Sequence, residues 1–500
     1  MTGTFFLLAI TLLAGEPGKP FEIEVVDEAT GRGVPLVELR TTSNTVHITD
    51  SAGVIAFAEP GLMNQKVWFE VSSHGYEFPA DGFGLRGKTL DVSPGGKATL
   101  KLQRKNIAQR LYRITGLGIY RDSQLMGREI PIQAPLLNAQ VTGSDSVMMT
   151  AYQGKLHWFW GDTNRPSYPL GNFHVPGATS PLPASGGTDP LRGINLSYFT
   201  GSDGFAKSTA KMAGDGPTWI DGLTALQATD GRERLFAAYV KVKPPLTIYR
   251  RGICQWNDDR NEFEHVKEFP VEAPLFPFGH SFVHETDNQK HAYFGDPFPV
   301  ARVPAKAESY ADLSAYEAFT CLKSQSRLDQ PVIDRDAAGN VLWDWKPDTS
   351  PVDAASESKL IAKGLLKPEE ARFQLRDVAT KKSVMAHRGT VNWNEHRQRW
   401  ICVCTEIGGT SMLGEVWYAE AQAPTGPWRN AVKIVTHEKY SFYNPVHHPL
   451  FDQQQGRTIF FEGTYTNSFS GNPHQTPRYD YNQVMYQLDL DDPRLAVLRK

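Results

Sequence analysis

Five times along this chain a polar turn gives way to a short apolar or aromatic run that stops abruptly at a glycine or a charged residue. The runs are KLHWFWGD (Lys155 to Asp162), RERLFAAYV (Arg232 to Val240), KHAYFGD (Lys290 to Asp296), RQRWICVCTE (Arg397 to Glu406) and GRTIFFEGTY (Gly456 to Tyr465). Their turns lie near Gln153-Gly154, Asp230-Gly231, Asp287-Asn288, Asn394-Glu395 and Gln453 to Gly456, with spacings of about 77, 57, 107 and 60 residues. Each reads as a β-hairpin, apolar on the buried side and closed by turn residues. Hairpins of one shape at unequal intervals exclude a short solenoid and suit propeller blades that carry different insertions.

The segments between hairpins supply outer strands. TIYRRGICQWNDDRNEFEHVKEF after the second hairpin and GEVWYAEAQAPTGPWRNAVKIV after the fourth each divide into two strands at a polar or Pro/Gly turn, which completes a four-stranded blade. The long gap before the fourth hairpin holds SESKLIAKGLLKPEEARFQLRD, whose apolar spacing predicts two short helices broken at Lys367-Pro368, an insertion near residues 355–378. The last strand, QVMYQLDL (Gln483 to Leu490), is expected to pair with early residues of the domain and close the ring, removing exposed sheet edges.

Ahead of the hairpins the chain has a different texture. Residues Phe5 to Ala14 form an apolar run too short to span a bilayer, read as the core of a signal peptide over residues 1–15, which predicts a secreted or periplasmic protein. Residues 20–104 read as a small β-domain. Its strands flank the turns Thr30 to Gly33 and Asp50 to Gly53, and it carries Val26-Asp27 to Pro35, Thr49-Asp50 to Gly53 and Ser73 to Tyr76 as V-D-x-x-T-G-x-G-V-P, T-D-x-x-G and S-x-x-G-Y. These motifs resemble the carboxypeptidase-regulatory or transthyretin-like β-sandwich, a resemblance that implies an accessory module without chemistry of its own. Residues 105–136 then read as a linker leading into the large domain at 137–500.

Composition narrows the function. A net charge of −3 and a pI near 6.5 give no global reason to bind nucleic acid or an anionic membrane, and beyond the amino-terminal run no stretch reads as an integral membrane segment. The four cysteines are too few and too scattered for a disulfide framework; Cys402 and Cys404, two apart in an apolar run, read as small core residues. The chain has no P-loop, no G-x-G-x-x-G after a strand, no G-x-S-x-G elbow and no H-E-x-x-H.

A hairpin leaves and returns on one side, so residues that start its first strand and end its second share one face of a propeller. That rule gathers Asp145 and Asp162 from the first blade, Asp221 from the second, His280 and Asp296 from the third, His387 and Arg388 from the fourth, and His447 and Glu462 from the fifth. Arg165, just beyond Asp162, joins them. Paired carboxylates are what glycoside hydrolysis requires, one held protonated to donate to the leaving oxygen and one ionised to activate water or attack the sugar. Asp162, Asp221 and Glu462 are the acid/base candidates; Asp145, Arg165, His280, Asp296, His387, Arg388 and His447 are the substrate-binding candidates. His280 and His284, four apart on a strand, lie about 13 Å apart and do not make a metal pair. The sequence requires no metal or cofactor, although a structural ion in the propeller channel is compatible with it.

The hairpin pattern, Gly414 to Trp428 (G-E-V-W-Y-A-E-A to G-P-W) and Tyr443 to Pro449 (Y-N-P-V-H-H-P) resemble the five-bladed β-propeller glycosidases of the arabinanase, β-xylosidase and levansucrase type, across about Asn138 to Leu490. The resemblance implies an all-β fold, a five-bladed propeller preceded by the small sandwich, and a glycoside hydrolase acting on a poly- or oligosaccharide. It also implies two aspartates and a glutamate at the starts of inner strands in blades one to three. Asp145 and Asp221 match the first two loosely, and the third position holds His280. Two other functions fit the same residues: a polysaccharide lyase using His280 or His387 with a tyrosine, and a non-catalytic carbohydrate- or protein-binding propeller.

Overall fold

The computed structural model describes residues 18–286 and 288–499, and the expected signal peptide lies outside them. The described chain is almost entirely β. Five sheets follow one another in sequence order, and each begins with the strand that lies innermost. Blade one is built from Met148–Tyr152, Lys155–Phe159, Gly177–Pro181 and Ser197–Tyr198. Blade two is Thr218–Gln227, Glu233–Lys243, Thr247–Asn257 and Glu262–Phe269. Blade three starts at His280–Thr286 and adds Gln289–Gly295, Pro299–Pro304, Glu317–Thr320 and Asp344–Pro347. Blade four starts at Ala386–Asn394 and continues through Arg399–Glu406, Glu415–Ala421 and Trp428–Thr436. Blade five starts at Ser441–His447, followed by Thr458–Thr466 and Asn482–Asp489.

The five inner strands surround one channel of about 170 Å³, lined by Met148, Leu223, His280, Thr390 and Val446 among others, one from each blade. The fold is a five-bladed β-propeller, as the hairpin pattern predicts. The ring closes between blades five and one through polar groups: Gln483 Nε2 donates to Ser144 O at 3.1 Å and Asn444 Nδ2 to Ser146 Oγ at 2.6 Å.

Two local expectations are corrected. The strand at Asn482–Asp489 does pair with an early segment, but its partner is Gln109–Arg113, inside the stretch read as a linker; that segment is the outermost strand of blade five. All five of its side chains are buried, which the single apolar pair Leu111-Tyr112 does not announce. The insertion contains one helix, Ala354–Ala362, capped by Asp353 Oδ1 accepting from Ser356 N at 2.8 Å. The second expected helix stops after a single 3-10 turn, Pro368–Glu370. The chain then becomes a strand, Phe373–Asp377, parallel to Trp428–Thr436, because Phe373 and Leu375 alternate into the blade-four core with a period of two.

The N-terminal domain is a sandwich of two four-stranded sheets, one ordered Val54–Phe57, Phe21–Asp27, Lys97–Arg104, Tyr76–Glu77 and the other Val46–Ile48, Glu38–Thr41, Gln65–Ser72, Gly87–Val92. Its inner faces bury Ile23, Val25, Leu39, Phe69 and Leu100. It is not suspended from the propeller. Leu36 and Ile48 belong to the same apolar cluster as Tyr440, Tyr465, Tyr479 and Tyr486 of the large domain. Buried Arg110 reaches across to Pro35 O, His74 O and Ser73 Oγ at 3.0, 3.1 and 2.6 Å.

Candidate active site at the propeller mouth

The hairpin turns of the inner strand pairs mark one face of the propeller; the strand origins and returns mark the other, the mouth. On the mouth side of blade one the run Lys155–Phe159 ends in Trp160 and Gly161. Gly161 N donates to Asp145 O at 2.8 Å, and a Cβ at position 161 would stand 2.2 Å from Asp145 Oδ1. Glycine is therefore required between the tryptophan and the aspartate for the two acids of this blade to lie side by side. Asp145 Oδ2 accepts from Tyr443 Oη at 2.9 Å, with Tyr481 as a second hydroxyl donor. Among the described residues Asp162 Oδ1 has a single donor, Trp219 Nε1 at 3.2 Å.

Blades two, three and four build the other half. Asp221 lies near the origin of Thr218–Gln227 and receives the Gly279 N–H. Asp296 follows the second strand of blade three, and its Oδ1 accepts from Gly389 N at 2.9 Å. Arg388, on the inner strand of blade four, sits between them: Nε is 3.2 Å from Asp296 Oδ2 and Nη1 is 4.0 Å from Asp221 Oδ1. The Arg388 side chain is 41% exposed while those of Asp221 and Asp296 are 20% and 11% exposed, so the guanidinium is the more open group and the acids lie deeper.

Electrostatics separates these acids from ordinary surface carboxylates. Burial, and then the charge of Asp145, pushes Asp162 up to about 6, with the Trp219 N–H offsetting part of the rise. Burial also pushes Asp296 up to about 6, against the stabilising effect of Arg388 and the Gly389 N–H, while Asp221 adds to the rise. Asp145 and Asp221 are raised by burial as well; the tyrosine hydroxyls oppose this at Asp145, and Arg388 with Gly279 N–H at Asp221. The Arg388 guanidinium is held charged, chiefly by Asp296. His280 is pushed down to about 3 by burial and then by Arg388, and His387 is lowered by the same two causes, so both imidazoles are neutral.

The structure thus brings together Asp145, Asp162, Asp221, Asp296, Arg388 and His280, with His387 next to Arg388 on the inner strand of blade four. Three expected members are elsewhere. Glu462 is fully buried in the middle of Thr458–Thr466, opposite Val446 and Met485, and accepts from His448 Nε2 at 2.7 Å. The charge that an apolar strand makes costly is compensated inside the blade and never reaches the mouth. His447 is the last residue of an inner strand that starts at Ser441, so it lies toward the turn side, with Nε2 on Asp452 at 3.0 Å and Nδ1 on Asn392 at 3.3 Å. Arg165 continues past the mouth into the short strand Thr163–Arg165, where it faces Asp203 at 3.5 Å and lies over the Phe205 ring. Residue reading missed Tyr443 and Tyr481. Both stand in stretches conspicuous for other reasons, Y-N-P-V-H-H-P and RYDYNQ, but only the fold places them on Asp145. Among the described residues no group of three or more His, Cys, Asp and Glu side chains is arranged to hold a metal ion. Among the same residues no helix is long and apolar enough to cross a membrane.

No protein-family model matches the chain, and no curated protein matches it. Solved structures similar to it include a thermostable family-43 glycoside hydrolase (11% identity, 69% of this chain and 88% of that one, TM-score 0.32). Another is an exo-β-1,3-galactanase from Phanerochaete chrysosporium with galactose (9% identity, 73% and 64%, TM-score 0.36). A third is a variant α-L-arabinofuranosidase from Fusarium graminearum in complex with an iminosugar inhibitor (10% identity, 77% and 99%, TM-score 0.36). The chain spans less than two thirds of the galactanase.

Proposed function

We propose that this protein is a glycoside hydrolase acting on a poly- or oligosaccharide, secreted or periplasmic by virtue of its apolar amino-terminal run. One observation carries the reading: four aspartates from three blades meet at one mouth in two pairs, one held by the neutral donors Tyr443 and Trp219 and the other bridged by the Arg388 guanidinium. Asp162, raised to about 6 and holding only one donor, is the proton donor to the leaving oxygen. Asp145 beside it keeps its partner protonated, in the way that crowded carboxylates share charge. Across the mouth the Asp221–Asp296 pair ionises stepwise, and Arg388 between them favours the first ionisation, supplying the carboxylate that activates water or attacks the sugar.

Hydrolysis is favoured over lyase chemistry by the state of the tyrosines and histidines. Burial, then the Asp145 charge, drives Tyr443 and Tyr481 further above the ordinary phenol range, so neither is a ready base. His280, pushed down to about 3, is a poor proton acceptor. The test is a panel of arabino-, xylo-, galacto-, gluco- and urono-oligosaccharides, read for new reducing ends and for the near-ultraviolet absorbance of unsaturated products. Release of reducing ends without that absorbance is expected. An unsaturated product would assign a lyase, and saturable binding without turnover would assign a binding module.

A further inference from the structure

The loop between Thr458–Thr466 and Asn482–Asp489 rises on the mouth side of blade five, and at its tip Phe469 is 65% exposed. An exposed phenyl ring is unfavourable, and here the backbone adds to the cost: Phe469 has φ 64°, in the left-handed region that a bulky non-glycine residue avoids. The conformation persists because the loop is tied down around it. Asn467 N and Thr466 Oγ1 donate to Asp480 Oδ1 at 2.8 and 3.0 Å, Ser441 Oγ donates to Ser468 O at 2.6 Å, and Ser470 N donates to Asn467 O at 3.1 Å. The ring stands edge-on to Tyr443, with centroids 5.9 Å apart and planes at 73°, and Tyr443 is the residue whose hydroxyl holds Asp145. Phe83 of the sandwich is still more exposed, at 92%, but no reacting group adjoins its turn.

We infer that Phe469 is a stacking platform for a sugar ring bound next to the Asp145–Asp162 pair. This inference rests on the glycoside reading of the mouth. The CH-rich face of a sugar covers an aromatic ring, burying apolar area on both partners and replacing the water that Phe469 now exposes. A ring already fixed in a pinned loop loses little freedom on binding, which is the advantage gained by holding it in an unfavourable conformation.

The experiment compares wild type, Phe469→Ala and Phe469→Trp on the oligosaccharide of the panel that wild type cleaves best or, without cleavage, binds best, with a binding titration of the same oligosaccharide alongside. Phe469→Ala is expected to raise KM roughly tenfold with kcat changed less than about twofold, and Phe469→Trp to restore wild-type KM. The melting temperature of Phe469→Ala should not fall, since the side chain packs little in the free protein. A KM for Phe469→Ala within about twofold of wild type overturns the platform while leaving hydrolysis intact. Binding that is weakened by Phe469→Ala in a protein that cleaves nothing keeps the platform and overturns the hydrolase reading. Neither cleavage nor binding of any panel member overturns both.

Discussion

The chemistry of this molecule is decided by a few residues whose neighbours matter more than their own identities. Asp162 is an aspartate after a glycine, a pattern that elsewhere serves only to make a turn. What changes its meaning is Asp145 on the other side of Gly161 and the single indole donor of Trp219. The aspartates themselves were legible in the sequence, because the hairpin rule puts strand origins and returns on one face. Their tyrosine partners were not, since Tyr443 and Tyr481 reach Asp145 only once blade five has closed against blade one. Two expectations follow. The raised Asp162 contributes stability that is complete below its ordinary value of 3.8 and is lost as pH rises through about 6. Asp162→Asn should therefore be more stable than wild type near neutral pH, by on the order of 1 kcal/mol, with the difference vanishing near pH 4 in thermal melts. Arg388→Met removes the charge that favours ionised Asp221 and Asp296, so both acids rise further. The acidic limb of the kcat/KM profile should then move to higher pH with a loss of roughly a hundredfold at the optimum.

At the scale of elements, a side chain's position along its strand determines whether it belongs to the mouth. Glu462 and His447 lie off the mouth because both strands of the blade-five hairpin extend further toward it than their polar residues suggest. The inner strand begins at Ser441, which carries His447 to the turn side, and the second strand runs on to Thr466, which leaves Glu462 in mid-strand. No local signal separates these registers; the apolar run continues smoothly, and a register shift between Tyr443 and Val446 disturbs the alternation. The aspartates of blades two and three depend on tight backbone in the same way. Gly279 has φ 70° and a Cβ there would lie 2.2 Å from Gly295 O, while its N–H holds Asp221. Gly279→Ala should cost more than about 1 kcal/mol in denaturant melts, and should lower kcat further than the lost stability explains.

The whole molecule couples a propeller to a sandwich that sequence reading treats as an attachment. The motifs identify the sandwich's turns but say nothing of its outer face, where the apolar Leu36 and Ile48 are spent on the interface. Tyr479 shows how tight the junction is: its hydroxyl donates to Thr49 O at 2.6 Å and accepts from Leu36 N at 3.2 Å, both in the sandwich. Tyr479→Phe removes both bonds and leaves Leu36 N and Thr49 O only their mutual bond of 3.3 Å, so it should cost about 1 kcal/mol, with sandwich and propeller still melting in a single transition by calorimetry. Two separate transitions in the wild-type protein would contradict that coupling. The sandwich thus packs on the mouth end of blade five, through Tyr440, Tyr465 and Tyr479, the same end that presents Tyr443 to Asp145. Whether Asp162 is the acid of that mouth is read from the rate of reducing-end release by wild type and Asp162→Asn on the best-cleaved oligosaccharide near pH 6. Loss of about a hundredfold or more in kcat, with the variant folded and still binding the oligosaccharide, is the predicted result. Unchanged turnover in Asp162→Asn would contradict the assignment of the acid and with it this account of the mouth.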